Sequence, residues 1–346
     1  MGHQRRRPSA LPAWTRGLLH LCVLCAFLLV TGIAQAQKLP KLTLAGPSAA
    51  VSNALIRMVD SGALADLAEV VEFVPWRDPD QLRMMALDGR ADVLAMPTNV
   101  AANLYNRGAK LQLINVSTWG VLWLVSRDPA LKSLADLRGK ELAMPFRGDM
   151  PDIVLQLLAA QQGIDVKKDL QLRYVASPVD AMQLLVMRRV DHALLAEPAA
   201  SMALRKTGSF PLSVIAPELH RSVDLQREWG RVFAREARIP QAGIAVMGAL
   251  RGRPALVARI EAEYARALGW CKDNAEACGK AVAARIDMLS AQAVTDSIAV
   301  SQLKAVSARD ARTELEFLFA HLVASTPALV GGKLPDDAFY GGARAR

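Results

Sequence analysis

Two stretches of this chain alternate a short apolar run with a helix-periodic run, and few folds accommodate that alternation. In the first, Lys41 to Ala45 reads as a strand and Gly46-Pro47-Ser48 breaks it before a helix over about 50–61. Val70 to Val74 is a second strand, and a helix from Pro79 to Asp88 carries Leu82, Met85 and Ala86 at helical spacing until Gly89 ends it. Asp92 to Met96 is a third strand, after which Pro97-Thr98-Asn99 opens a helix through Tyr105 to Gly108. A second block begins near Ser133. Its strands are Lys140 to Pro145, Leu170 to Val175 and Asp191 to Leu195, and its helices Asp152 to Gln162, Pro178 to Arg188 and Pro198 to Thr207. Parallel strands need crossover helices, so this order predicts an α/β fold of two lobes, each a mainly parallel sheet flanked by helices. Ligands in such sheets sit beyond the carboxyl ends of the strands, here in a cleft between the lobes.

The apolar run Gly120 to Ser126 is expected to cross between the lobes as one strand. Beyond it the chain turns helical, with helices predicted over Val257 to Lys272, Glu276 to Arg285, Val294 to Val306 and Ala311 to Ala324. The expected division is a leader over 1–36, the first part of lobe 1 over 37–122, lobe 2 over 123–244, the helical remainder of lobe 1 over 245–340, and a frayed tail over 341–346.

The leader is read from its own chemistry. Arg5, Arg6, Arg7 and Arg16 precede an apolar run from Leu18 to Val30, and Ala34-Gln35-Ala36 supplies small residues for cleavage after Ala36. The run is short of the roughly 20 apolar residues that span a bilayer, and His20 interrupts it. Pro8 argues against a twin-arginine signal, and Cys22 and Cys25 lack the small residues that precede a lipidated cysteine. A Sec signal and a periplasmic mature protein are therefore expected. Removing the leader's four arginines lowers the formal net charge from +9 to +5. With 5% aromatic residues and no Lys/Arg run, nothing suggests a nucleic-acid surface.

Cys271 and Cys278 remain in an oxidising compartment, either bonded across Lys272-Asp273-Asn274 or as two buried thiols. His192, His220 and His321 lie far apart with no metal-ligand spacing, so neither a metal nor a cofactor is expected. No Ser/His/Asp order and no Gly-rich phosphate loop stands out, and a non-enzymic chain is expected.

Three stretches carry a family resemblance: Ser133-Leu134-Ala135-Asp136-Leu137-Arg138-Gly139-Lys140, then Leu172 to Ser177 with Val190-Asp191-His192-Ala193 and Glu197-Pro198, and in the first block Gly89-Arg90-Ala91-Asp92-Val93. In order and spacing they resemble the periplasmic solute-binding proteins of ABC importers of the nitrate, sulfonate and taurine type, relatives of the thiamine-pyrimidine-binding proteins. The resemblance implies a type II periplasmic binding fold and a monomer that captures a small polar or anionic organic solute by hinge closure. It also implies partners, an ABC permease with its ATPase. A periplasmic sensor, or an enzyme of pyrimidine-synthase type on the same fold, is the alternative. The motifs themselves ask for little chemistry, since Ser133 and Asp136 cap a helical turn and Gly139 permits the next one.

The candidate ligand contacts lie where strands end and helices begin. Ser48, Thr98 and Asn99 either face the ligand or cap their helices. In the second lobe the loop Phe146-Arg147-Gly148 offers backbone N–H groups and one guanidinium, which either pairs with an anionic head or faces solvent. Asp149 reads as a cap. Thr118 and Trp119 enter the crossing strand, where the indole either stacks on ligand or packs between lobes. Glu197 ends a strand, and either accepts from a ligand N–H or pairs with Arg147. Trp229 and Gln241 flank the return crossing.

Overall fold

The alternation in the sequence becomes two separate sheets. The computed structural model describes residues 38–210, 214 and 218–342; the expected signal with its cleavage site, and residues 343–346 of the expected tail, lie outside the described residues. The first sheet opens with β1 (Leu39–Pro47), buried without alternation from Leu42 onward, the mark of a strand covered on both faces. α1 (Ser52–Asp60), β2 (Ala68–Trp76), α2 (Pro79–Leu87), β3 (Val93–Pro97) and α3 (Thr98–Asn106) follow. The entry to α2 shows the local logic. Asp78 accepts from the N–H groups of Asp80 and Gln81 at 3.0 and 2.9 Å, and Pro79 sits in the first turn, where an N–H has no helical partner to lose.

β4 (Leu111–Leu113) and β5 (Asn115–Gly120) complete the first pass, and β6 (Leu122–Ser126) already belongs to the second sheet. The single strand expected over Gly120 to Ser126 is thus two, broken at Val121. Gly120, beside the break, packs tightly against its neighbours, since a Cβ there would lie 2.6 Å from the Gln226 side chain. The second sheet continues with β7 (Glu141–Pro145), α4 (Met150–Gln161), the single turn α5 (Val166–Asp169), β8 (Gln171–Val175), α6 (Pro178–Val186), β9 (His192–Ala196), α7 (Ala199–Gly208) and β10 (His220–Asp224). Before β7, Asp136 accepts from the Ser133 N–H and hydroxyl, both at 2.9 Å.

The chain then returns. α8 (Leu225–Phe233), capped by Asp224, leads to β11 (Ala242–Met247) in the first sheet, followed by α9 (Pro254–Asp273), α10 (Ala275–Arg285), α11 (Ala291–Val300), β12 (Gln302–Ser307) and α12 (Arg312–Ser325). The first sheet runs β12-β5-β11-β3-β1-β2, with β4 on β11, and the second runs β10-β6-β9-β7-β8. Each has a parallel core, β1 with β3 and β7 with β8 and β9. β11 and β12 in the first sheet and β6 and β10 in the second run antiparallel to their neighbours. From Pro40 onward the chain is one compact unit.

Two further expectations need correction. The helix predicted over Val294 to Val306 stops at Val300, and Gln302 to Ser307 pairs with β5 instead. There the period changes from helical to two, with Gln302 and Lys304 exposed on either side of buried Leu303. The tail expected to fray from residue 341 is held at its start, since Arg309 donates to the Gly341 carbonyl at 3.0 Å and the Gly342 N–H to Asp337 at 2.9 Å. Cys271 and Cys278 are disulfide-bonded with Cα atoms 5.1 Å apart, joining α9 to α10. Among the described residues no helix is long and apolar enough to cross a membrane.

β11 and β5 approach closely at Gly243, where a Cβ would run into the backbone carbonyl of Asn115. Neither strand can move without breaking its ladder. Gly243→Ala is expected to lower stability by about 1–3 kcal/mol in urea unfolding, and an unchanged midpoint would show that the strands have room to separate.

Candidate functional site

Residues at the carboxyl ends of strands in both sheets enclose one cavity of about 90 Å³. Pro47 ends β1, Trp76 ends β2, and Met96 and Pro97 end β3; these with Ala49 to Val51 form the first wall. Phe146 follows β7, Met150 and Pro151 open α4, Pro178 opens α6, and Ala196 ends β9; these form the opposite wall. The floor is made by the two crossings, with Thr118, Val121 and Leu122 from the outgoing one and Gln241 and Ala242 from the return. This is the location that a parallel sheet dictates.

The walls are held from behind. Trp76 donates its indole N–H to the Ala95 carbonyl at 3.1 Å, turning carbon toward the cavity. Tyr264, fully buried on α9, donates to the Val51 carbonyl at 2.8 Å and meets Ser117 at 2.8 Å. Phe146 sits at φ 57, a left-handed backbone that costs a bulky residue strain and so marks a position over-determined by its surroundings.

The sequence-derived candidates separate into three groups. Thr118, Phe146 and Gln241 line the cavity, and Ser48 lies half-buried in the bend between two lining segments. Thr98, Gly148 and Glu197 are engaged within the protein. The Thr98 hydroxyl donates to the Pro240 carbonyl at 2.6 Å, and the Gly148 N–H donates to Asp152 at 2.8 Å. Glu197, 1% exposed, accepts from Arg221 at 2.7 Å and from the Ser201 N–H at 3.0 Å. Of the two alternatives open for Glu197, the pairing with Arg147 is not formed, and Arg221 is the partner instead. β9 and β10 both flank β6, which brings together residues 24 positions apart in sequence.

The third group points elsewhere. Trp119 does not reach the cavity, because neighbours on a strand face opposite sides and Thr118 takes the cleft side. Its indole N–H donates to the Lys304 carbonyl at 2.9 Å, with Arg238 5.0 Å above the ring. Arg147 is exposed, its guanidinium 4.9 Å from the Tyr174 ring centre. Trp229 packs against Phe233 and Phe317. Asn99 is 1% exposed at the start of α3, and its Oδ1 has no hydrogen-bond partner. Trp76, Met96 and Ala196 were missed because apolar residues at strand ends look like core; being the last residues of parallel strands was the available signal.

None of the described residues lining the cavity is charged. Next to the lining residue Met150, Asp149, 3% exposed before α4, pairs with Arg83 of α2 at 3.3 Å, a contact between the two lobes. Burial pushes the Asp149 carboxyl up to about 6, and the Arg83 guanidinium offsets part of that rise. Among the described residues no group of three His, Cys, Asp or Glu side chains is placed to hold a metal ion.

Two predictions follow from these carboxylates. Arg221→Ala leaves Glu197 buried without its cation and is expected to cost about 3–5 kcal/mol; a loss below about 1 kcal/mol would mean that water reaches the carboxylate. For Asp149 the folded protein keeps a proton that the unfolded chain releases, so its contribution is full below about pH 4 and lost as pH rises through about 6. Asp149→Asn should therefore raise Tm more at about pH 7.5 than at about pH 4.5. Equal shifts at both pH values would return Asp149 to an ordinary carboxylate.

Solved structures share this architecture. An ABC transporter protein from Parabacteroides distasonis is 20% identical, covering 87% of this chain and 98% of that one with a TM-score of 0.71. The alkanesulfonate-binding protein SsuA from Xanthomonas axonopodis pv. citri bound to MOPS is 15% identical over 88% of this chain and 98% of its own, TM-score 0.63. The periplasmic nitrate-binding protein NrtA from Synechocystis is 12% identical over 84% of each chain, TM-score 0.66. At these identities the likeness is one of fold. No curated protein matches the chain by sequence. Residues 65–265 match the family described as ABC transporter, phosphonate, periplasmic substrate-binding protein. That match spans more than half the chain and both sheets, and the chain belongs to this family of periplasmic substrate-binding proteins of ABC transporters.

Proposed function

We propose that this chain is exported to the periplasm, loses its leader after Ala36, and as a monomer captures a small organic solute with a polar or anionic head for delivery to an ABC permease with its ATPase. One observation carries the reading: a single cavity takes its walls from both sheets and its floor from the two crossings between them. A ligand there touches both lobes at once, so it biases their closure by its differential contacts with the open and closed forms. The proposed division of the lobes lies near residue 122 on the outgoing crossing and, on the return, before β11 begins at Ala242, two residues ahead of the expected 244. A polar or anionic head meets the turn that leads into α1, where Ala49 to Val51 border the cavity and the macrodipole of the helix that follows favours negative charge. Micromolar affinity, about −8.2 kcal/mol, is within reach of one such head and a buried apolar body.

The reading is tested on the purified chain lacking residues 1–36, with propanesulfonate, phenylphosphonate, benzoate, benzamide and nitrate as probes. At least one organic probe should raise Tm and shrink the radius of gyration in small-angle scattering. A Tm rise without compaction would remove hinge closure from the proposal; turnover of a probe would replace binding by catalysis.

A further inference from the structure

The cavity asks for a particular ligand chemistry. Its walls present proline rings, the carbon face of Trp76, Phe146, and the methionines 96 and 150. Two polar residues line it, Thr118 and Gln241. Gln241 already donates its amide nitrogen to Gln226 at 3.0 Å. Thr118 is 3% exposed, lines the cavity, and its Oγ1 has no hydrogen-bond partner. A buried hydroxyl without a partner is destabilising, and valine would fill the same volume without that cost. A threonine here makes physical sense if something that enters the cavity completes its hydrogen bond.

We infer that the Thr118 hydroxyl anchors the buried end of the ligand, and that this end is an uncharged oxygen or nitrogen on a compact apolar body, which makes the ligand an organic molecule and excludes nitrate and inorganic phosphate. The assignment rests on the cleft reading above and narrows it. A free oxyanion exchanges a full hydration shell for the surroundings it enters, and a wall of carbon with one hydroxyl returns little of that. An organic ligand leaves most of its bound surface against proline, methionine and aromatic carbon, where no hydration is lost, and needs one polar partner at the floor. A charged group on the same molecule remains compatible if it stays at the α1 end.

Three forms of the chain lacking residues 1–36 test this: wild type, Thr118→Val and Thr118→Ser. Each is titrated by calorimetry with benzamide, benzoate, propanesulfonate, phenylphosphonate, nitrate and phosphate. The wild type should bind at least one organic probe and neither inorganic ion. Thr118→Val should weaken that probe by about three- to tenfold, the range of one neutral hydrogen bond, while Thr118→Ser restores most of the affinity. Without ligand, Thr118→Val should melt at or above the wild-type temperature. A lower ligand-free Tm would show that the hydroxyl has a partner in the protein, and the assignment falls. Equal affinity of wild type and Thr118→Val removes Thr118 but leaves the cleft reading standing. Binding of nitrate or phosphate as tightly as the organic probes overturns the ligand class. If no organic probe binds the wild type, the cleft reading fails and this inference with it.

Discussion

A chain that leaves one sheet for another carries peptide groups that no neighbouring strand can pair, and unpaired groups in a buried crossing are costly. This protein meets the problem with a side chain. The Gln226 amide accepts from the Leu122 N–H at 3.0 Å and donates to the Leu122 carbonyl at 3.1 Å, acting as a one-residue substitute strand. Asp224 fixes its orientation at 2.8 Å, and Gln241 of the return crossing donates to it at 3.0 Å. Backbone bonds from Gln241 to Thr118 and from Thr98 to Gln241, each 3.0 Å, complete the lacing. Thr118, Leu122 and Gln241 of this network belong to the cavity floor, so the shape of the site depends on how the crossing peptides are satisfied.

Legibility in the sequence followed the range of the interactions. The alternating blocks, the capped turn at Ser133 to Asp136 and the loop around Phe146 are local and could be read directly. β11 and β12 were not, because their partners β3 and β5 lie more than a hundred residues upstream and a short apolar run without those partners is ambiguous between helix and strand. Among site residues, Thr118 and Trp119 show the limit. Both were correctly placed at the crossing, but which of two neighbours on a strand faces the cleft depends on which side the second sheet lies. Arg221 could not be paired with Glu197 from sequence, since the contact needs β9 and β10 to share β6 as a neighbour.

The same two-sheet geometry keeps acids at the edge of the site without placing them in its wall. Glu197 is fully enclosed and takes a two-nitrogen grip from Arg221, whereas Asp149 has one longer contact to Arg83; burial raises the proton affinity of Asp149, and that contact offsets only part of the rise. The first arrangement is internal to one sheet's lobe. The second spans both, joining α2 of the first lobe to the loop before α4 of the second.

The strand order carries a consequence for how the protein comes into being. Every strand of the second sheet lies within residues 122–224, while the first sheet needs residues 242–247 and 302–307 before β5 has both of its neighbours. For a chain delivered from its N-terminus, the half that starts first must finish last. Its early strands wait with open edges while the second half completes from nearby contacts, which form sooner than distant ones. That interval, and not the finished molecule, is when this chain has most need of a partner to keep exposed edges from pairing with other chains.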